Sequence, residues 1–120
     1  MEEFRREAKY SDVSILVDGR TFKCHRIVLA AASSYFDSMF CGNFKESHVE
    51  EMRLHDICPE SFEKVLQCIY TGETTITTDT VLDFLRISEF LSVQAIRDSC
   101  IQFILKNMYL MKHVIEIFVY

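Results

Sequence analysis

The sequence predicts a single α+β domain in which helices outnumber a few short strands. Three observations carry this prediction: a strong β-hairpin signal near the N-terminus, several stretches with apolar residues at helical spacing, and a length of 120 residues. Domains most often contain about 100–150 residues, so one hydrophobic core is expected. With 49% hydrophobic residues, 3 Gly and 1 Pro, the composition excludes disordered and collagen-like classes.

The first quarter of the chain predicts one helix and a β-hairpin. Residues 2–9 are mostly charged, with apolar residues four positions apart, which is typical of a short amphipathic helix. The β-branched run Val13–Val17 predicts a strand, and Asp18-Gly19 is a strong signal for a tight turn. Thr21–Cys24 alternates in polarity and is predicted to return as the second strand.

Two helices and a third strand are predicted next. The alanine-rich run His25–Ala32 lacks strand signals and is interpreted as a helix. Tyr35–Phe40 has apolar residues at helical spacing and follows two serines that can cap a helix. Residues 44–51 are interpreted as a polar loop, and a short strand is expected at Glu51–Leu54.

The second half of the chain predicts helices separated by one short strand. Pro59 suits the first position of a helix with an apolar stripe, and Thr71-Gly72 is predicted to end that helix. Thr74–Thr77 predicts a strand because it is rich in β-branched residues. Later helices are expected after Thr78 or Asp79, after Ser92, and from Val114 onward.

Charge and cysteine content narrow the class of protein. The net charge is −5, with 18 acidic and 13 basic residues, so direct nucleic-acid binding is not expected. No apolar run approaches the ~18–20 residues of a membrane span, and the N-terminus does not resemble a signal peptide. Five cysteines without paired spacing predict reduced thiols in a cytoplasmic or nuclear protein.

The sequence contains no convincing catalytic or metal-binding motif. Adjacent residues on a strand point to opposite faces, so Cys24 and His25 are poorly placed to act as a nucleophile and its base. Cys41, His48, His55 and Cys58 lack the close ligand pairs of zinc sites, and loop histidines are the simpler interpretation. We therefore expect neither an enzyme nor a bound cofactor or metal.

Asp12 and Arg26 flank the buried elements of the hairpin region. An unpaired buried charge is costly, so we expect these two residues to pair near the domain surface. A charged notch that faces a partner is the alternative interpretation.

The helix over residues 25–32 is apolar on two sides. It offers Val28, Leu29 and Ala32 to one face and Ile27, Ala30 and Ala31 to the other. A surface helix of a monomer normally has a polar outer face, so we favour self-association over complete burial in the core. Phe4 on the leading helix is a plausible extension of this surface.

Phe44 is a large apolar residue in the polar stretch Asn43-Phe44-Lys45-Glu46-Ser47. From the residues alone it can either tuck back beneath the loop or act as the anchor for a partner.

Several separate motifs, in the correct order, resemble a BTB (POZ) domain. The motifs are Asp12-Val13, Asp18-Gly19, Phe22–Ser33, Tyr35–Phe40 and Phe62–Gly72. By this resemblance, residues 1–107 form the BTB/POZ domain, a helical cluster flanked by a small sheet. Residues 108–120 resemble the start of the helical extension, the 3-box that leads into a BACK domain in BTB-Kelch proteins, and an uncapped apolar end suggests a longer protein.

The resemblance also implies site residues. Family dimers pack through the leading helix and the apolar helix after the hairpin, which implies an interface at Phe4, Ile27, Ala30 and Ala31. In cullin-3-binding members a hydrophobic residue–any–Glu motif follows the Met-Phe helix, and Phe44-Lys45-Glu46 matches it. The implied cullin-binding residues are Phe40, Asn43, Phe44, Glu46, Phe90 and Leu91. Asp12 and Arg26 match the charged pair at the floor of the dimer groove in BTB repressors.

The resemblance implies a non-enzymatic homodimeric adaptor. It would bind a cullin-3 scaffold and deliver a substrate protein, held by a domain outside this chain, to an E3 ubiquitin ligase. The alternative is the dimerisation and corepressor-recruiting domain of a transcription factor. The short segment before the first helix weakens that alternative, because it lacks the exchanged strand of many repressor-type dimers.

Overall fold

The computed structural model describes residues 2–41 and 50–108 of the chain. The helices and strands, in chain order, are α1 (Glu2–Arg6), β1 (Val13–Val17), β2 (Arg20–Cys24), α2 (Arg26–Ala32), α3 (Ser34–Cys41), β3 (Glu51–Leu54), α4 (Pro59–Thr71), α5 (Val81–Phe90) and α6 (Gln94–Lys106). The predicted α+β class with a helical majority is confirmed.

The three strands form one sheet in the order β2-β1-β3. β1 and β2 are antiparallel, and Asp18-Gly19 joins them with φ angles of 48° and 84°. Those positive angles suit the primed turns that match strand twist. β3 lies parallel to β1, which requires the long crossover that contains α2 and α3. The inward residues of the central strand, Val13, Ile15 and Val17, are buried.

The core lies between the sheet and the helices. The largest fully buried side chains come from most elements: Ile15, Val17, Cys24, Leu29, Phe36, Phe62, Val65, Leu66, Val81, Leu91 and Val93. Phe62, Val65 and Leu66 follow the helical spacing predicted for α4, so the periodicity identified the buried face of that helix correctly. Burial of such side chains supplies most of the folding free energy.

Two predictions about local structure are wrong. Thr74–Thr77 pairs with no strand among the described residues. Instead, the carbonyl of Thr77 accepts hydrogen bonds from the backbone N–H groups of Thr80 and Val81, which draws the segment into the turn before α5. The first helix ends at Arg6 rather than Lys9, because the chain turns at Ala8, where φ is 56°.

Smaller differences concern helix starts. α5 begins at Val81 and α6 at Gln94, one or two residues later than the capping signals indicated. The end of α6 precedes residues 109–120, so the predicted final helix lies outside the described residues.

Candidate functional site

Aromatic side chains from α3 and α5 form a continuous row. The ring of Phe90 lies 5.5 Å from that of Tyr35, which lies 5.5 Å from that of Phe36. Phe40 stacks on Phe36 at 5.7 Å. Phe36 is fully buried and anchors the row, whereas Phe90 is 51% exposed and Tyr35 and Phe40 are half-buried. We call Tyr35, Phe40 and Phe90 the aromatic surface.

Ser33 joins the start of α3 to the end of α5. Its hydroxyl donates to the carbonyl of Leu91 at 2.5 Å and accepts from the backbone N–H of Phe36 at 3.1 Å. The second bond is an N-terminal cap of α3. Both bonds are buried, so they hold Phe90 beside Tyr35 although the two residues are far apart in sequence.

Leu91 does not present its side chain to a partner. It is 0% exposed and belongs to the core, so it lies beneath the surface at which a partner was expected to bind. Phe90 and Leu91 are adjacent apolar residues at the end of α5, and the sequence does not indicate which of them faces outward. The structure assigns the outward position to Phe90 and the supporting position to Leu91.

Three of the residues expected to bind a cullin, Asn43, Phe44 and Glu46, lie outside the described residues. They follow α3 directly in the chain, and α3 ends at Cys41 beside Phe40.

The apolar helix α2 divides into a buried and an exposed face. Leu29 is fully buried, whereas Ile27 is 78% exposed and Ala31 is exposed; Ala30 is half-buried. This split agrees with the predicted two-faced helix. Phe4 lies on α1, and its side chain is outside the described part of the structure.

Asp12 and Arg26 lie together at the start of α2. The Asp12 carboxylate accepts a hydrogen bond from the backbone N–H of Arg26 at 2.7 Å, and the Arg26 Nε donates to the Asp12 carbonyl at 3.3 Å. The carboxylate thus satisfies one N–H group of the first helical turn, which intrahelical bonds leave open. The Arg26 guanidinium also lies over the Phe40 ring at 5.4 Å, which links this pair to the aromatic surface.

Cys24 and His25 do not form a catalytic pair. Burial raises the pKa of the Cys24 thiol to about 12, so the nucleophilic thiolate is scarce at neutral pH. The His25 ring is held by the Tyr70 hydroxyl and the Lys9 carbonyl. Of the candidate zinc ligands, His48 lies outside the described residues, and the described residues contain no cluster of three or more potential ligands.

All five cysteines fall within the described ranges and are free thiols. Within those ranges, no helix has both the length and the apolar character that a membrane crossing requires.

Sequence reasoning missed Tyr35 as a surface residue and Tyr70 as a polar contact. Helical spacing alone places Tyr35 in the apolar stripe of α3 and Tyr70 in that of α4. The tyrosine hydroxyl was the available signal for Tyr70, because a buried hydroxyl needs a hydrogen-bond partner and therefore indicates a polar contact.

A family model for the BTB/POZ domain matches residues 1–108. Human Kelch-like protein 24 is 40% identical over 102 residues, which are 85% of this chain and 17% of that protein. Kelch-like protein 21 of Danio rerio is 36% identical over 104 residues, 87% of this chain and 17% of that protein. The BTB domain of zebrafish PATZ1 matches with a TM-score of 0.77 at 26% identity and covers 88% of this chain and 85% of that chain. The resemblance predicted from the motifs is confirmed, and the chain spans 17% of the length of these Kelch-like relatives.

Proposed function

Because the chain belongs to the BTB/POZ domain family, we propose that it is the homodimerising, cullin-3-binding part of a substrate adaptor for an E3 ubiquitin ligase. The likeness to Kelch-like proteins supports an interaction module rather than an enzyme. Ubiquitin transfer is then the work of other subunits, in the cytoplasm or the nucleus.

The observation that carries this proposal is the aromatic surface, whose Phe40 precedes the Phe44-Lys45-Glu46 motif by four positions in the chain. Phe40 and Tyr35 expose part of their rings, and Phe90 exposes half of its surface. Aromatic anchors surrounded by polar residues concentrate binding energy in small interfaces. Buried Phe36 and the two hydrogen bonds of Ser33 hold these rings in place before a partner arrives, which lowers the ordering cost of binding.

The α2 face supports the homodimer. Ile27 is a large apolar side chain with 78% of its surface exposed, next to the small exposed Ala31. Small residues let two helices approach closely, and a two-fold dimer would bring this face against its own copy. Phe4 on α1 would extend the interface.

The substrate protein would be held by a domain outside this chain. The chain covers only 17% of the length of its Kelch-like relatives. We therefore expect substrate selection to depend on regions that correspond to the remaining length of those relatives.

Calorimetric titration with the N-terminal region of cullin-3 tests the proposal. We expect the wild-type chain to bind, and the double variant Phe44→Ala/Glu46→Ala to release no heat while its circular dichroism stays native.

Phe90→Ala should weaken binding about tenfold or more, because an exposed aromatic anchor is lost. Tyr10→Ala is the matched control, since it removes an 82%-exposed ring from the turn before β1. If the wild-type chain releases no binding heat at several temperatures, the adaptor proposal is wrong. If Tyr10→Ala and Phe90→Ala lose the same affinity for cullin-3, the aromatic surface is not the binding site.

The alternative function is recruitment of a corepressor. Asp12 and Arg26 lie together, as the charged pair at the floor of the dimer groove in BTB repressors does, but that pair is widespread in the family and does not choose between the two functions. The sequence that follows Tyr120 in the full-length protein separates the two functions: kelch repeats support the adaptor, and zinc fingers support the repressor.

A further inference from the structure

A polar bridge ties the segment after α1 to the start of α2. The His25 Nε2 lies 2.6 Å from the Lys9 carbonyl, and its Nδ1 lies 2.9 Å from the Tyr70 hydroxyl. The backbone N–H of His25 donates to the same hydroxyl at 2.9 Å. His25 itself is buried, and its two bonds to Tyr70 are shielded from water, whereas the bond to Lys9 is partly buried.

The partners determine where each proton lies. A carbonyl only accepts, so the Nε2 of His25 carries the proton that reaches Lys9. Nδ1 is then an acceptor in the neutral ring, and the Tyr70 hydroxyl donates to it. That hydroxyl in turn accepts from the His25 backbone N–H. Burial raises the pKa of the Tyr70 phenol, which keeps this donor protonated. The Tyr70 hydroxyl thus both donates and accepts, and its loss leaves the buried Nδ1 and backbone N–H of His25 without this partner.

Tyr70 also holds α1 through its ring. The Arg5 guanidinium lies 5.6 Å from the centre of the Tyr70 ring, within the range of a cation–π contact. Glu2 fixes the same guanidinium with two hydrogen bonds of 2.9 and 2.6 Å. The Arg5 side chain is only 8% exposed, although α1 is a short helix at the edge of the fold. Tyr70 on α4 therefore contacts both the helix α1 and the residue that precedes α2.

We propose that His25 and Tyr70 are positioning residues that hold both α1 and the start of α2 against α4 and thereby set the strength of homodimerisation. The inference rests on the proposed homodimer through Phe4 on α1 and Ile27 on α2. α1 has only five residues, and helices of that length are not stable alone, so its position depends on the contacts it makes. Tyr70 supplies one of those contacts through Arg5, and His25, which precedes α2, holds Lys9 three residues after α1 ends.

The test combines a dimer measurement with a local one. Sedimentation equilibrium gives the dimer dissociation constant, and hydrogen exchange follows the amides of Glu7 and Ala8, which donate to the carbonyls of Glu3 and Arg5. We expect Tyr70→Phe, which keeps the ring but loses the hydroxyl, to raise the dissociation constant about tenfold and to speed exchange at both amides. His25→Gln retains a donor that can reach Lys9 and should lie between wild type and His25→Ala.

Ser88→Ala is the matched control, because it also removes one buried hydroxyl, which donates to the Leu85 carbonyl within α5. We expect it to lower the free energy of unfolding without changing the dissociation constant or the two amides. The inference is overturned if Tyr70→Phe dimerises like wild type, or if Ser88→Ala weakens the dimer equally. A wild-type chain that stays monomeric overturns the proposed homodimer instead, and this inference with it.

Discussion

The pair formed by Glu2 and Arg5 shows how single residues anchor a short element. Both side chains are largely buried, with 16% and 8% of their surface exposed. The hydrogen bond from Arg5 lowers the pKa of the Glu2 carboxyl below its ordinary value of 4.5. The charged form of Glu2 is thus favoured in the folded protein over the unfolded chain, where that bond is absent.

The pH dependence of a Glu2 variant follows from this shift. A lowered pKa in the folded state adds stability at pH values above 4.5, and that stability is lost as the pH falls through the lowered value. We therefore expect Glu2→Gln to lose about 1 kcal/mol at neutral pH, and the difference from wild type to shrink as the pH falls below 4.5. Urea unfolding at one protein concentration measures it. Glu3→Gln, the same change on the exposed side of α1, should show little effect at either pH.

At the scale of elements, α4 illustrates how local signals set boundaries. Pro59 occupies its first turn, and Gly72 ends it with φ at 75°, where its N–H donates to the Cys68 carbonyl at 2.9 Å. Glycine adopts this left-handed conformation without steric cost. Because both ends are determined by their own residues, the bounds of α4 were predictable.

The Gly72 cap can be tested without disturbing packing. A Cβ placed on Gly72 meets no atom within 4 Å, so only the backbone conformation resists substitution. We expect Gly72→Ala to lower the free energy of unfolding by about 1 kcal/mol, and Gly72→Asn to cost less, because asparagine tolerates positive φ. Equal losses in thermal or urea unfolding would show that φ is not the cause.

At the scale of the whole molecule, the exposed face of α2 is the feature that a monomer does not explain. Isolated apolar residues on a surface are common, but Ile27 is combined with small neighbours on a helix that has its other face in the core. Self-association is the simplest way to cover it.

Light scattering tests that explanation. We expect a wild-type mass of about twice 14.1 kDa, and a mass near 14.1 kDa for Ile27→Glu with native circular dichroism. Leu105→Glu is the matched control, since it places the same charge at another exposed apolar residue, on α6, and should remain dimeric. A monomeric wild type at high micromolar concentration would contradict the interpretation of α2.

The sequence by itself determined the elements whose signals are local. The Asp18-Gly19 turn, the stripe of α4 and the Ser33 cap all depend on neighbours within a few residues, so their structure follows from their own chemistry. The ordered motifs also sufficed to identify the family, and with it the expected interfaces.

Only the tertiary structure decided the features that depend on residues far apart in the chain. Thr74–Thr77 has strand propensity, but a strand forms only where another strand is available to pair with it. The family resemblance implied both Phe90 and Leu91 as partner-binding residues, and only the fold shows that Phe90 is half exposed while Leu91 is buried. The contacts between Tyr70 and His25 and between Tyr35 and Phe90 join residues 45 and 55 positions apart, because packing rather than sequence proximity brings them together.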